Sequence, residues 1–493
     1  MARAEDHRTV LGRVDNAGPG WPGQPEAEVK RQVDALDEML ARPEGLDVLV
    51  VGLGRSGIAA ASRLASAGAN VSACDTKPLV DGAEELRNAG VNVIAGRDGP
   101  ELLESAELVV LSPGVWLSHP LVQAARRGAI PVIGELELAW RLLRQRYGST
   151  LPMIAVTGTN GKSTTTALCA HLLEYAGLEV FCGGNIGNPL TLALDVPALD
   201  ACVVEVSSFQ LEHLSSDRAL DPRVAVWLNL TPDHIDRHGS VDEYARAKTR
   251  LFLGQREEDL AVLNADDENV WRYANTLPAR VQGFGHAPGR SVVAVIDGRR
   301  ISFGDFELEI ANPRLRGLHN SENCAAAVLA AREVTGECAG WLEAVQSYPG
   351  LPHRLQTVGF AEGVEFIDDS KATNVDATMK SLTGFDEPVV LIAGGRGKGS
   401  GFERLRKAVS ERVKRLVLIG EQAKRMAADL EGCAPAVVAR DMDEAVRLAF
   451  EAALPDGVVL LSPACASFDM FRDYAHRGEV FARAVAKLAD ARE

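Results

Sequence analysis

The amino-acid sequence predicts an α/β chain made of about three doubly wound domains. Its 493 residues are too many for one ordinary core and suit about three at roughly 150 residues each. Short apolar runs alternate with amphipathic or alanine-rich stretches, which is the pattern of a parallel sheet covered on both faces. Several of the runs end in glycine-rich turns, at the strand ends where open α/β sheets bind ligands.

Composition narrows the function classes. A formal net charge of -16 argues against a nucleic-acid partner, whose electrostatic footprint would be basic. The 8 cysteines (Cys74, Cys169, Cys182, Cys202, Cys324, Cys338, Cys433, Cys465) are scattered without a CxxC pair, so buried free thiols are expected instead of disulfides or zinc. No run of about 18 apolar residues occurs, and Glu5, Asp6 and Arg8 stand where a signal core would be apolar. A cytoplasmic protein without membrane insertion is expected.

Residues 1–45 read as an N-terminal extension. Gly18-Pro19-Gly20-Trp21-Pro22-Gly23 predicts flexibility, and Glu26 to Leu40 a short amphipathic helix. No chemistry is assigned to this stretch.

The first domain spans 46–149. Asp47-Val48-Leu49-Val50-Val51 is a buried-strand run, followed by Gly52-Leu53-Gly54-Arg55-Ser56-Gly57 and an alanine-rich helix. A second strand from Asn70 ends in Asp75, roughly 20 residues on, which completes a Rossmann-like dinucleotide fingerprint. Read alone, it points to an NAD-dependent oxidoreductase. Its physics, however, is only a diphosphate on a helix N-terminus with a carboxylate beyond, and a UDP-sugar carries a diphosphate too. Leu111-Ser112-Pro113-Gly114 supplies a second turn at the same sheet edge. An isolated turn of this kind is as often purely structural.

The second domain spans 150–348 and opens on Met153-Ile154-Ala155-Val156, then Thr157-Gly158-Thr159-Asn160-Gly161-Lys162-Ser163-Thr164. A strand that runs through a glycine turn into a helix aims backbone N–H groups at a phosphate. Lys162 would reach the outer phosphates, and the Ser163 or Thr164 hydroxyl would hold Mg²⁺. This P-loop is shorter than the general pattern, with Val156 where the first glycine should be. Further on, Ala201-Cys202-Val203-Val204-Glu205 is a strand ending in a carboxylate able to ligate Mg²⁺. Val224 to Leu230 then leads into Thr231-Pro232-Asp233-His234. Hairpin strands are expected over 291–310 and a helix over 319–335. Lys248 lies on a helix, where a lysine is ordinarily a surface residue.

The third domain spans 349–493, with strands expected at 364–368, 387–393, 414–419 and 457–461. Asp368-Asp369-Ser370-Lys371-Ala372-Thr373-Asn374, Gly394-Gly395-Arg396-Gly397-Lys398-Gly399 and Ser462-Pro463-Ala464-Cys465-Ala466-Ser467 follow strands of one sheet. They can therefore converge on one small ligand. Lys371, Thr373, Lys398 and Ser467 offer ammonium and hydroxyl groups for a small dicarboxylate.

The glycine loop resembles that of the ATP-dependent Mur ligases and folylpolyglutamate synthetases. Glu205-Val206-Ser207-Ser208-Phe209-Gln210-Leu211 and the third-domain turns resemble the D-glutamate-adding branch of the Mur ligases, from about residue 46 to the C-terminus. The resemblance implies ATP-dependent addition of D-glutamate to UDP-N-acetylmuramoyl-L-alanine through an acyl phosphate, a cytoplasmic step of peptidoglycan precursor synthesis. It places ATP on Gly158, Thr159, Asn160, Gly161, Lys162, Ser163 and Thr164, with Asn320 and Asn323 at adenine and Arg354 and Asp369 at phosphate and ribose. It places the UDP substrate on Ser56, Asp75, Thr76, Ser112 and Asn185, and D-glutamate on Lys371, Thr373, Lys398 and Ser467. Lys162, Glu205, His234 and Lys248 become the catalytic set. Two Mg²⁺ ions are implied, on Ser163, Glu205, His234 and a Lys248 carbamylated by CO₂, since a carbamate ligates a cation that an ammonium repels. A monomer is expected. Arg396 departs from relatives, which often carry an acidic residue there, and is left unassigned. The rival readings are a sister ligase, a folylpolyglutamate synthetase, an NAD-dependent oxidoreductase and a non-catalytic nucleotide sensor.

Overall fold

The computed structural model of the chain describes residues 26–216, 219–289, 291–336, 340–397, 401–490 and 492. The first sheet holds β1 (Asp47–Val51), β2 (Asn70–Asp75), β3 (Asn92–Ala95), β4 (Leu108–Leu111) and β5 (Val132–Gly134) in the order β3-β2-β1-β4-β5. All its neighbours are parallel. The strand order reverses between β1 and β4, so a crevice opens beyond their C-terminal ends. Val48–Val51 and Leu108–Leu111 are buried, which is why both runs are apolar without alternation.

The second sheet contains β6 (Met153–Thr157), β7 (Val180–Gly184), β8 (Ala201–Glu205), β9 (Val224–Trp227), β10 (Leu260–Asn264), β11 (Arg280–Gly285), β12 (Val292–Asp297), β13 (Arg300–Ser302) and β14 (Glu307–Glu309). Their order is β14-β13-β12-β11-β10-β9-β6-β8-β7. β6 lies parallel between β8 and β9, so the glycine turn leaves the sheet flanked by the ends of both. β12, β13 and β14 pair antiparallel, matching the hairpin expected at 291–310. The expected helix at 319–335 is Leu318–Thr335.

The third sheet holds β15 (Gln356–Ala361), β16 (Val364–Asp368), β17 (Val389–Gly394), β18 (Val413–Ile419), β19 (Ala436–Val438) and β20 (Val458–Leu461), in the order β15-β16-β20-β17-β18-β19. β16, β20 and β17 are adjacent and parallel, so their three polar turns share one edge, as the sequence suggested. The turns are stitched together there. Ala464 N donates to Ala372 O at 3.0 Å, and Arg396 and Ala466 exchange backbone bonds of 2.8 and 3.0 Å. β15 escaped sequence reading because its register shifts between Thr357 and Gly359, which blurs the period of two.

The amphipathic helix expected from Glu26 to Leu40 is present as Glu26–Ala41, but its assignment to a flexible extension needs correction. Residues 1–25 lie outside the described part, but Glu26–Ala41 is a helix whose Leu36 and Leu40 pack into the core of the first sheet with Val48, Val50, Leu64 and Leu138. The segment from 26 to 45 is therefore part of the first domain and not a flexible extension. The helix is also held by charge: Arg141 donates to Asp37 at 2.5 Å and to Glu137 at 2.8 Å. Glu137 in turn accepts from Ser215 N at 2.6 Å.

The three sheets fall within 46–149, 150–348 and 349–493. By packing, however, the chain forms two compact units. One holds the chain up to Thr159 with Leu178–Ala261 and Arg272–Val281; the other holds Asn160–Gly177, Val262–Trp271 and Gln282–Glu493. The first unit is bound internally by the helix Glu135–Tyr147, whose Glu135 accepts from Thr191 N at 2.8 Å. Replacing Glu137, which is 0% exposed, with Ala leaves the Arg141 guanidinium half-paired in the interior. This should destabilise the first unit by about 3 kcal/mol, read as a lowered first transition in differential scanning calorimetry.

Candidate active site

The glycine turn rests on a buried lysine. Lys248, 1% exposed, comes from the helix Val241–Thr249 and donates to Gly158 O at 3.0 Å and Thr157 Oγ1 at 3.3 Å. Its ammonium also lies 4.5 Å from the centre of the Tyr244 ring. Thr157 Oγ1 donates onward to Val206 O at 2.9 Å, which locks the end of β6 to the residue after Glu205. Thr159 N donates to Asn229 O at 3.1 Å, and Thr159 Oγ1 accepts from Thr231 N at 3.1 Å. The first half of the turn is thereby joined to the loop that carries Asp233 and His234. Gly158 takes φ 150 and Gly161 φ 85, values at which a side chain would be strained.

Glu205 is 3% exposed. Its Oε1 accepts from Asn185 Nδ2 at 2.6 Å, whereas Oε2 has no hydrogen-bond partner among the described residues. A buried carboxylate oxygen left open is costly in an apolar setting and is the donor a hard cation takes. The fit to Mg²⁺ is good on that ground. Among the described residues no group of three His, Cys, Asp or Glu side chains forms a ready-made metal cage. His234, at φ 53, packs its ring edge against Phe209 at 4.7 Å and Tyr244 at 6.2 Å, with Asp233 at 3.6 Å. Lys248 and His234 thus share Tyr244 as a neighbour. Tyr244 is held neutral, its hydroxyl pushed up to about 12 by burial.

The helix Lys162–Tyr175 begins directly after Gly161. Arg354 Nη2 donates to Ser163 Oγ at 3.0 Å. Asn320 and Asn323 do not stand open: Thr165 Oγ1 donates to Asn323 Oδ1 at 3.2 Å, Asn323 Nδ2 to Asn320 Oδ1 at 3.0 Å, and Asn320 Nδ2 to Arg316 O at 2.7 Å. This relay fastens the helix Leu318–Thr335 along the helix that follows the glycine turn.

In the first sheet's crevice a cavity of about 500 Å³ is lined by Ser56, Asp75, Thr76, Ser112 and Asn185, which gathers all five residues expected for a UDP substrate. The turn is tight, since a Cβ on Gly57 would collide with Gly52 O. Asp75 holds its own loop, accepting from Leu53 N at 2.7 Å and Lys77 N at 2.9 Å. Sequence reading missed Arg55, Trp116, His119 and Gln210, which line the same cavity. Arg55 and Gln210 carried a signal, as parts of the glycine fingerprint and of the Ser-Ser-Phe-Gln run; Trp116 and His119 carried none. The wall at Trp116 is braced by Arg237, which donates to Pro113 O at 3.2 Å and Val115 O at 3.1 Å and pairs with Glu212 at 2.8 Å. Burial alone would push the Glu212 carboxyl up, but hydrogen bonding from His238 and the Arg237 charge hold it below its ordinary value.

At the third sheet's edge, Lys371 Nζ lies 3.8 Å from the centre of the Tyr474 ring. Thr373 is half-buried, Ser467 is buried, and Lys398 lies outside the described residues. Arg396 pairs with Glu421 at 3.4 Å on the surface. Asp369 is enclosed, accepting from Ser381 Oγ at 2.6 Å and Ser462 Oγ at 2.8 Å. Burial raises its carboxyl to about 6 against the pull of those hydroxyls and of Arg354. Arg477, with 0% exposure, donates to Ser370 Oγ, Ser370 O and Cys465 O at 2.9, 2.8 and 3.1 Å. It binds two of the turns together, and no motif announced it.

Comparison with known proteins matches the family descriptions "Mur ligase MurD-like, N-terminal domain" over residues 46–134, "Mur ligase middle domain" over 156–331 and "Mur ligase, glutamate ligase domain" over 353–465. A UDP-N-acetylmuramoylalanine--D-glutamate ligase of Myxococcus xanthus is 43% identical over 458 residues, covering 90% of this chain and 99% of the relative. The enzyme of the same name from Koribacter versatilis is 40% identical, covering 90% and 98%. Among solved structures, MurF ligase from Thermotoga maritima in complex with ADP aligns with a TM-score of 0.58 at 18% identity, covering 86% of this chain and 96% of that one. At that identity the likeness concerns the fold.

Asp369 gives this edge a pH signature. An unfolded carboxyl ionises near its ordinary 3.8, while the folded one keeps its proton up to about 6. The folded state therefore binds more protons between those values, and stability from this group falls as pH rises from about 4 to about 6, then levels off. Asp369→Asn should flatten that fall in melting temperatures measured from pH 4 to 7 against the parent protein.

Proposed function

Because this chain belongs to the Mur ligase family, we propose that it ligates D-glutamate to UDP-N-acetylmuramoyl-L-alanine at the expense of ATP. The observation that carries the reading is similarity over nearly the whole length of relatives that bear this activity in their names. The shared edge of three polar turns in the third sheet supports it independently.

A carboxylate forms no amide with an amine unaided, because its oxygen is a poor leaving group. In the proposed reaction the alanyl carboxylate attacks the γ-phosphorus of ATP, giving an acyl phosphate and ADP. The D-glutamate amine then attacks the acyl carbon; the tetrahedral intermediate expels phosphate and the amine gives up its proton. Catalysis is mainly positioning and charge neutralisation. Residues 46–149 would serve the UDP substrate, 150–348 ATP, and 349–493 the amino acid.

Gly158, Thr159, Asn160, Gly161, Lys162, Ser163 and Thr164 would hold the phosphates of ATP, with Asn320, Asn323, Arg354 and Asp369 serving its nucleoside and phosphate contacts. Mg²⁺, when bound, supplies charge to neutralise the phosphoryl oxygens. Ser163, Glu205, His234 and Lys248 are its proposed ligands, and the open Oε2 of Glu205 is what favours Glu205 among them. Lys248 can serve only after reaction with CO₂, which exchanges its buried ammonium for an anion. Lys371, Thr373, Lys398 and Ser467 would bind the two carboxylates of D-glutamate. We place the reaction in the cytoplasm, where ATP is available, and assign it to a monomer.

The test is phosphate release from ATP with Mg²⁺ and UDP-N-acetylmuramoyl-L-alanine, comparing D-glutamate, L-glutamate, L-alanine and meso-diaminopimelate. Release with a new amide product for D-glutamate alone is expected; turnover with another acceptor instead moves the chain to a sister activity. The lysine modification is read separately. ¹³C-bicarbonate should give a carbamate carbon resonance that disappears in Lys248→Arg, and its absence from active protein removes the carbamate from the scheme.

A further inference from the structure

Arg237 joins two parts of the site that lie on different sheets. Its side chain is 5% exposed and stands in the short helix Ile235–His238, directly after His234. Arg237 N and His238 N both donate to His234 O, at 3.1 and 3.0 Å. The helix thereby holds His234 at its positive φ, a conformation that a non-glycine residue keeps only when its surroundings impose it. The same helix is fastened to Ser208–Glu212, the segment that follows β8 and Glu205. Glu212 accepts from Arg237 Nε at 2.8 Å and pairs with His238 Nδ1 at 2.9 Å, and His238 Nε2 lies 3.0 Å from Ser208 Oγ. This fastening uses only the Nε of the guanidinium. Its other nitrogens reach the crevice wall. Nη1 donates to Pro113 O at 3.2 Å and Nη2 to Val115 O at 3.1 Å, and Val115 O also accepts from His213 Nε2 at 2.9 Å. Two rings lie against the cation: Arg237 Cζ is 4.0 Å from the centre of Phe209 and 5.5 Å from that of Trp116.

Both ends of this chain of contacts are functional. Pro113, Val115 and Trp116 line the crevice cavity, whereas Phe209 packs on the ring of His234 at 4.7 Å. Tethering the short helix needs the pair with Glu212 and nothing more, and a lysine could supply that charge. Only a planar fork bonds one carboxylate and two carbonyls at once. Close-packed interiors pass a displacement from neighbour to neighbour. A molecule that fills the crevice therefore presses on the 113–116 turn, and the shift reaches His234 through Arg237 and Phe209. We propose that Arg237 is a positioning residue that links occupancy of the crevice to the posture of His234, so that binding of the UDP substrate prepares the Mg²⁺ site. The identity of the two ligands rests on the ligase reading above.

Calorimetric titration of the full chain with UDP and with Mg²⁺–ADP tests it. UDP lacks the sugar and the reacting carboxylate, so direct contact between reactants does not enter the result. In the parent protein UDP should tighten Mg²⁺–ADP binding by about 5-fold or more, and Mg²⁺–ADP should tighten UDP binding by the same factor. Arg237→Lys keeps a charge against Glu212 but loses the fork, and its factor should fall below about 2. Phe209→Leu leaves the bonds from Arg237 to the wall in place and removes the ring between Arg237 and His234. Its factor should fall likewise, with affinity for UDP alone unchanged, and this variant decides the matter if Arg237→Lys does not fold. A merely structural role would lower the melting temperature and leave the factor as it was. An unchanged factor in either folded variant, or no coupling in the parent, overturns the proposal. A coupled parent that makes no D-glutamyl product from UDP-N-acetylmuramoyl-L-alanine fails the ligase reading, while the role of Arg237 stands.

Discussion

The site depends on burying one ammonium beneath a glycine turn. Taking a lysine out of water costs several kcal/mol unless partners replace its hydration. Lys248 finds them in Gly158 O, Thr157 Oγ1 and the face of Tyr244. Each partner is then constrained. Gly158 is held at a φ unfavourable to side chains, Thr157 passes its own hydrogen to Val206, and Tyr244 packs against the rings of His234 and His238. One buried charge thereby sets the spacing of the β6 and β8 ends and the posture of the His234 loop.

Around this point polar groups divide into two kinds. Asp75, Asn320, Asn323 and Asp369 spend their side-chain oxygens on neighbours in the fold, so each shapes a loop or fastens a helix as well as serving any ligand. Glu205 Oε2 and Gln210 Nε2 are buried and unspent. Interiors rarely tolerate unsatisfied polar atoms, so these two, like Ser112 Oγ in the crevice cavity, are places where a ligand would relieve a cost left by folding. Neither is distinguished by residue type; only the accounting of partners separates them from their neighbours.

Much of this could be read along the chain because its physics is local. The glycines of residues 157–164 specify a turn that only small residues permit, and the apolar runs before them specify strands. The convergence of Asp369, Lys371 and Ser467 followed from their places after strands of one sheet. Less legible were the features made by residues far apart. The amphipathic helix that carries Leu36 and Leu40 was legible, but not that it fills the first core, and the proline-rich stretch before it suggested an extension instead. Arg477 sits in an ordinary amphipathic helix and yet joins Ser370 to Cys465. Gly478 has no turn to justify it; a Cβ there would collide with His353 and Asp368, a pair bonded at 2.7 Å.

By itself, then, the sequence determined the succession of strands, turns and helices and the chemistry each turn presents, because backbone freedom and hydrophobic period are properties of neighbouring residues. Tertiary structure alone decided which buried charges are paired, which amide is left without an acceptor and where the N-terminal helix docks. Those outcomes depend on distances between segments that the chain brings together only on folding, and a hydrogen bond is made or lost within a few tenths of an ångström.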